Sequence, residues 1–414
     1  MSNLQPARGT KDLLFKEQEE FTHIVSLARH VSSLFGYSEM STPIFEFTEV
    51  FKRTLGDFSD IVNKEMYTFE DRKGQSLTLR PEFTASVMRS VISNGLYNKL
   101  PLKLFSWGPL FRYERPQKGR MRQFHQINCE YIGSPKAVAD IEVISLAHLL
   151  LDRLGVLDKV RLEINSLGDF NSRSLYIEKL VDYYSKYKND LSEDSRLRFD
   201  RNPLRILDSK DSGDKKINQS APKLEEHLNK ESKRFFEEVL SGLDALGIKY
   251  YQNHSMVRGL DYYNHTAFEF ITEELGAQGT VLAGGRYDGL IKTMGGKDSP
   301  GVGFAAGIER LVELADIKVS RNQLVSIIVT NPEYEHDAMK LSSQLRRNEI
   351  SVEIEEQNNP AKALKKAIER GAGLVVYFDN RVALESCIVK NLKDRSEERV
   401  EFQGLVNFVK SNEF

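Results

Sequence analysis

Cysteine is almost missing. Only Cys129 and Cys387 occur in 414 residues, far apart in the chain. Two such thiols make neither a ligand cluster nor a CxxC pair, so a structural zinc site, a disulfide scaffold and a thiol redox centre are excluded, and a reducing cytoplasm is the expected location. Long apolar runs are missing as well. The longest uncharged one, Val143 to Leu151, falls far short of the roughly 18 residues that span a bilayer, so no membrane partner is expected. The opening Met-Ser-Asn-Leu-Gln lacks the basic-then-apolar layout of an export signal. Net charge is nearly absent: Lys+Arg 58 against Asp+Glu 60 leaves −2, so any polyanion must be met by local patches rather than a global field. No internal repeat is evident. The rest is ordinary: 40% hydrophobic and 29% charged residues argue for a folded chain, and the length suggests two or three domains.

The apolar residues Phe21, Ile24, Val25, Ala28, Val31, Leu34 and Phe35 keep helical spacing, and Gly36 stands where a helix ends. An extended stretch is predicted from Tyr37 to Val50; Pro43 within it assigns that strand to an edge or an interface. Aromatic and β-branched residues between about 100 and 133 read as a hairpin, followed by a helix from Asp140 to Gly155. Residues from about 170 to 235 are rich in Lys, Asp, Ser and Asn, which predicts a helical insertion whose stretch Asp208 to Lys216 is an exposed loop. β-rich segments resume at 249 to 310. After a polar joint near Asp316 to Gln323, strands at Val325 to Val329, Ser351 to Ile354 and Leu374 to Phe378 alternate with helices at about 333 to 347 and 361 to 371. That alternation predicts a small parallel-sheet α/β domain.

The hairpin FRYERPQKGRMRQFHQINCEYIG (111–133) carries the most chemistry. Residues two apart share a strand face, so Arg112 and Glu114 point together, as do Gln126, Asn128 and Glu130 on the return strand. The connecting loop brings the cations Arg115, Lys118, Arg120 and Arg122, placed for phosphates. In TLRPEFTASVMR, Glu82 and Thr84 follow Pro81 at a strand-to-helix turn, where a carboxylate and a hydroxyl could grip an ammonium group; the plainer alternative is that Thr84 caps the helix. RGLDYY (258–263) and AGGRYDGL (283–290) add arginines, tyrosines, and glycines that permit close approach of a ligand or backbone. PGVGFAAGIERL (300–311) reads as a strand entering a helix that bears Glu309 and Arg310. No Gly-Lys-Ser/Thr follows, so it is not a P-loop, and a buried arginine there needs an anionic partner.

In this order these segments resemble the class II aminoacyl-tRNA synthetases. FRYE…GRMRQFHQ is similar to their motif 2, PGVGFAAGIERL to motif 3, and GYSEMSTPIFEFTEVF to the dimer-forming motif 1. RGLDYYNHTAFEF and AGGRYDGL resemble the two signatures of the histidyl branch, and ARGTKDLL and RNPLRILDSK fit it too. The resemblance covers essentially the whole chain. It implies an α+β catalytic domain built on the class II antiparallel sheet, over 1–320 with the insertion at about 170–235, and a C-terminal α/β anticodon-binding domain over 324–414. It implies activation of L-histidine by ATP, transfer to histidine tRNA, a homodimer, Mg2+ accompanying ATP, and no tightly bound protein-ligated metal. By the same resemblance Arg112 and Arg258 are catalytic; Arg112, Glu114, Arg120 and Arg310 bind ATP. Glu82, Phe83, Thr84, Gln126, Glu130, Arg258, Tyr262, Tyr263 and Tyr287 bind histidine. Phe83 stands where the family usually carries glycine, so the backbone of that turn is a point of interest. In the tail, Lys362, Lys365, Lys366 and Arg370 form a basic stripe on one helix, open either to RNA or simply to solvent. The rival readings are a non-catalytic regulatory relative that senses histidine, whose kind lacks the anticodon domain and breaks the catalytic motifs, and an RNA-binding stress-sensor module.

Overall fold

The computed structural model of the chain describes residues 4–55, 61–117, 119–257, 262–276, 279–317, 324–355, 359–378 and 385–412. The chain divides into two compact units, Met1–Ile317 and Lys318–Phe414.

The first unit opens with α1 (Phe15–Leu34), β1 (Ser38–Glu39), β2 (Phe45–Phe47), α2 (Thr48–Leu55), β3 (Tyr67–Glu70), β4 (Ser76–Leu79) and α3 (Thr84–Ser93). The hairpin β5 (Leu102–Phe111) and β6 (Gln123–Ile132) follows, then α4 (Ala137–Arg153) and β7 (Arg161–Ser166). The insertion is α5 (Phe170–Ser185), α6 (Glu193–Arg201), α7 (Ser212–Asn218) and α8 (Lys230–Ala245). The unit closes with β8 (Tyr251–Gln252), β9 (Asn264–Ile271), β10 (Thr280–Arg286), α9 (Leu290–Thr293), β11 (Gly301–Gly307) and α10 (Ile308–Leu314). Eight strands form one sheet in the order β1-β5-β6-β11-β10-β9-β7-β8. Its six central strands are antiparallel, while β1 and β8 at the two edges run parallel to their neighbours.

Why the sheet has one covered face is visible in α1. Phe21, Ile24, Val25, Ala28 and Val31 are buried at helical spacing and pack with α4 and with Ile127, Cys129 and Phe304 of the sheet. Each large apolar side chain so covered contributes roughly 1.5–3 kcal/mol. Gly36 ends the helix at φ +76°, a conformation open to glycine without strain. The other face of the sheet, carrying Gln126, Asn128 and Glu130, is left for polar work.

Three expectations are corrected. The extended stretch from Tyr37 stops at Phe47, because Thr48–Val50 already belong to α2; both short strands in it are sheet edges. The stretch 208–216 is only in part the exposed loop expected: Asp208, Lys210 and Asp211 are exposed and outside any helix. Ser212–Asn218 is helical, and Asp214 is fully buried, accepting hydrogen bonds from the Ser192 amide and the hydroxyls of Ser192, Ser195 and Ser209 at 2.6–2.9 Å. A composition count cannot see that a cluster of polar residues satisfies itself.

The third concerns the second unit. Its β12 (Leu324–Val329), β13 (Ser351–Glu355) and β14 (Ala372–Phe378) are parallel, with α11 (Glu335–Arg347) and α12 (Pro360–Glu369) between them; β15 (Ser386–Asn391) and β16 (Glu397–Glu401) add antiparallel strands before α13 (Leu405–Ser411). The sheet is therefore mixed. Residues on α12 are also less free than their spacing implied: Lys366 pairs with Glu355 at 3.2 Å, and Arg370 with Glu353 and Glu355 of β13.

Candidate active site

One cavity of about 1800 Å³ opens on the polar face of the large sheet. Glu82, Phe83, Thr84, Arg112, Glu114, Arg120, Gln126, Glu130, Tyr262, Tyr263, Tyr287 and Arg310 all line it. Arg258, which the family resemblance makes catalytic together with Arg112, and Lys118 lie outside the described residues, although Val257 and Tyr262 on either side of the 258–261 segment both line the cavity.

At one end the cavity is a carboxylate pocket. Glu130, from the middle of β6, is almost wholly buried. The Thr84 hydroxyl donates to its Oε1 at 2.6 Å, Asn128 Nδ2 donates to the same oxygen at 3.0 Å, and the Tyr287 hydroxyl donates to Oε2. Burial pushes the Glu130 carboxyl up to about 7, against those three hydrogen bonds, and the nearby Glu82 carboxylate adds to the push. The neighbouring strand makes room: a Cβ on Gly303, which pairs with Glu130 in register, would sit 1.8 Å from Glu130 Oε2. A Cβ on Gly285 would meet the Tyr263 ring at 2.9 Å. Gly285 of the AGGRYDGL segment and Gly303 of the 300–311 segment are thus explained by close approach. Tyr262 lies with its ring centroid 4.7 Å from that of Tyr263 and 6.0 Å from that of Tyr287.

Glu82 and Thr84 divide the work differently from the sequence expectation. Glu82 does the capping: its two carboxylate oxygens accept the amides of Thr84 and Ala85 at 2.8 and 2.7 Å, at the start of α3. Thr84 is the first residue of that helix, and its hydroxyl is spent on Glu130 instead. Burial raises the Glu82 carboxyl while the two amides pull it down. Phe83 fits without strain, at φ −91° and ψ −39°, a backbone any residue adopts. Its ring is buried under the Arg80 guanidinium, 4.3 Å from carbon to centroid.

At the other end cations collect. Arg112 and Glu114 lie just beyond the end of β5 rather than in the strand. Arg112 donates to the Pro81 carbonyl at 3.0 Å and lies over the Phe124 ring. Arg310, in the first turn of α10, donates to the carbonyls of Gly119 and Thr280. Neither guanidinium has a carboxylate within ion-pair distance among the described residues. Burial, then the charges of Arg120 and Arg112, push Arg310 below its ordinary value. Arg120 meets Glu114 at 2.9 Å. Of the other loop cations, Arg115 and Arg122 do not line the cavity. Arg122 is held over the Tyr113 ring at 4.0 Å and its backbone amide donates to Gly9, which makes it a fastener for the N-terminal segment.

Sequence reasoning named two groups without giving them a role. Glu309 accepts the His125 backbone amide at 3.0 Å and faces its imidazole Nδ1 at 2.9 Å, fastening α10 to β6. Lys11, Leu13, Glu17 and Phe21 from the N-terminal segment also line the cavity. The signal for the latter was the ARGTKDLL segment, whose residues make no local pattern that says what they face. Among the described residues there is no cluster of three or more His, Cys, Asp or Glu that could hold a metal ion, and no helix is long and apolar enough to cross a membrane.

Comparison with known proteins agrees with this geometry. Residues 9–311 match the family model for histidyl-tRNA synthetase, and residues 324–412 that for an anticodon binding domain. The chain is 53% identical to the histidine–tRNA ligase of Wolbachia pipientis (subspecies Culex pipiens) over 397 residues, 96% of this chain and 97% of that one. It is 50% identical to the Rhodospirillum rubrum ligase over 412 residues, 99% of each. The crystal structure of the apo histidyl-tRNA synthetase of S. aureus superposes with a TM-score of 0.83 at 32% identity, covering 98% of this chain and all of that one. The chain belongs to the histidyl-tRNA synthetase family, class II ligases that activate histidine with ATP and pass it to histidine tRNA as a histidyl group.

Proposed function

We propose that the two ends of this cavity divide the ligase reaction between them, the carboxylate pocket holding histidine and the cation cluster holding ATP. The observation that carries the reading is the state of Arg310: a largely desolvated guanidinium, unpaired by any described carboxylate and depressed by Arg120 and Arg112, is built to receive an anion. Arg112 takes the α-phosphate, Glu114 the adenine end, and Arg120 and Arg310 the outer phosphates. Arg120 reaches them by leaving Glu114, an exchange of one anion for another. Mg2+ enters with the nucleotide as part of the substrate. In the pocket Glu130, Gln126, Thr84 and Glu82 offer partners for the imidazole and ammonium groups, with Tyr262, Tyr263, Tyr287 and Phe83 shaping the walls.

Histidine's carboxylate is already ionised at neutral pH, so its attack on the α-phosphorus needs no general base. Positioning and charge carry the step. As pyrophosphate leaves, charge grows on the equatorial oxygens, and one fixed cation at 4 Å offers about 4 kcal/mol at an effective dielectric of 20. Arg112 and Arg258 are the groups assigned to that charge. The adenylate's carbonyl is then attacked by the terminal ribose hydroxyl of the tRNA, releasing AMP. Units 1–320 and 324–414 act as catalytic and anticodon-binding domains in a cytoplasmic homodimer. Exposed Phe45, Phe47 and Phe69 on the small sheet formed by β2, β3 and β4, with Ile44 just ahead of β2, support that assembly. The test is histidine-dependent exchange of pyrophosphate into ATP: Arg310→Ala and Arg258→Ala should lose at least about 100-fold in turnover. Wild-type rates in either variant would remove the assignment.

A further inference from the structure

The roles above leave a completely buried cation unused. Arg286, in the AGGRYDGL segment, is completely buried and faces away from the cavity, towards α4. All five of its N–H donors are matched. Nε and one N–H of Nη2 meet the Asp140 carboxylate, and the other N–H of Nη2 meets the Lys136 carbonyl at 3.3 Å. Nη1 serves the Ser134 carbonyl at 3.0 Å and Asp288 at 3.1 Å. Asp288 in turn accepts the Gly301 amide at 3.0 Å, and the Tyr287 amide donates to the Gly301 carbonyl at 2.8 Å.

The consequence is geometric. Ser134 and Lys136 belong to the turn that follows β6, four and six residues beyond Glu130. Tyr287 is the residue after Arg286, and adjacent residues of an extended chain project to opposite faces. The clamp on the covered face therefore sits behind the point where the Tyr287 hydroxyl meets Glu130 in the pocket. A planar fork with five fixed donors can tie both turns in one orientation, which an ammonium group cannot do. We propose that Arg286 is a positioning residue for histidine recognition: by tying the turn after β6 to the turn after β10, it holds the Tyr287 hydroxyl on Glu130. The inference rests on the reading of Glu130 and Tyr287 as the histidine pocket.

The experiment is a double-mutant cycle on histidine-dependent pyrophosphate exchange with the full-length chain, using Arg286→Lys, Tyr287→Phe and the pair. Arg286→Lys should raise the histidine KM about tenfold while kcat at saturating histidine and the ATP KM stay within about twofold, since a contact to histidine made equally in the ground and transition states is loosened. In the Tyr287→Phe background the same substitution should add nothing further. Additive effects, or equal losses for histidine and ATP, would show a purely structural arginine and overturn the proposal. A Tyr287→Phe enzyme with unchanged histidine KM would overturn the pocket reading itself, an outcome distinct from additivity. Thermal melting of each variant runs alongside; if Arg286→Lys lacks a cooperative transition, Asp288→Asn, which leaves the Asp140 pair intact, takes its place in the cycle with the same expected outcomes.

Discussion

Single side chains in this cavity act through their charge, and two of them make this testable. Glu130 holds its proton up to about pH 7, whereas in the unfolded chain it titrates near 4.5. Between those values the folded state binds more protons, so stability falls as pH rises from about 4.5 to 7 and is level above. The expected loss is on the order of 3 kcal/mol. Urea titrations across that window should show the slope in the wild type and a shallower one in Glu130→Gln. Arg310 makes the opposite case, a cation crowded by other cations. Arg310→Ala is expected to leave the melting temperature of the free enzyme unchanged or raised, while pyrophosphate, which should stabilise the wild type, no longer does. A stabilisation by pyrophosphate that survives in the variant would place the anion site elsewhere.

Among elements, the helical insertion shows how polar sequence becomes rigid structure. Burial pushes Asp214 up, but its serine hydrogen bonds outweigh that and leave the carboxyl below its ordinary value. This stabilisation is complete above the ordinary carboxylate range and is lost as pH falls through the lowered value. Asp214→Ala strands three hydroxyls and an amide, and should cost about 2–5 kcal/mol. Hydrogen exchange should then accelerate across 192–218, with the sheet amides of β6 and β11 unaffected. Protection unchanged in that segment would mean the serines find other partners. The α10–β6 link through Glu309 belongs to the same scale, because a carboxylate that fastens one strand to one helix also sets where Arg310, its neighbour in sequence, can point.

For the molecule as a whole, the two units each carry their own apolar cores: α1, α4 and the large sheet in the first, and β12, β14, α11 and α13 in the second. The exposed apolar face of β2 and β3 is the complementary feature, a surface whose burial would be favourable at about 25 cal/mol per Å². Light scattering should report a dimer for the wild type, and Phe45→Glu with Phe47→Glu should shift it towards monomer. A dimer of undiminished stability in that variant would move the interface off this sheet.

Local chemistry alone already determined a good deal here. The period of Phe21 to Val31 made α1; alternation in QINCEY put Gln126, Asn128 and Glu130 on one face; Pro81 ahead of Thr84 marked the start of α3; and the strand-helix rhythm after residue 324 announced a second unit. Each of these depends on interactions a few residues apart, and so on order in the chain. Other matters were settled only by folding. Glu82 rather than Thr84 caps α3, Arg112 and Glu114 leave the strand before they reach the cavity, and Arg122 lies over the Tyr113 ring and fastens the N-terminal segment. Arg286 is paired with Asp140, 146 residues away, and Asp214 buried itself among serines that composition read as a loop. The reason is common to all of them: what a polar side chain does depends on which distant groups share its desolvated surroundings, and that is a property of packing, to which no window of sequence has access.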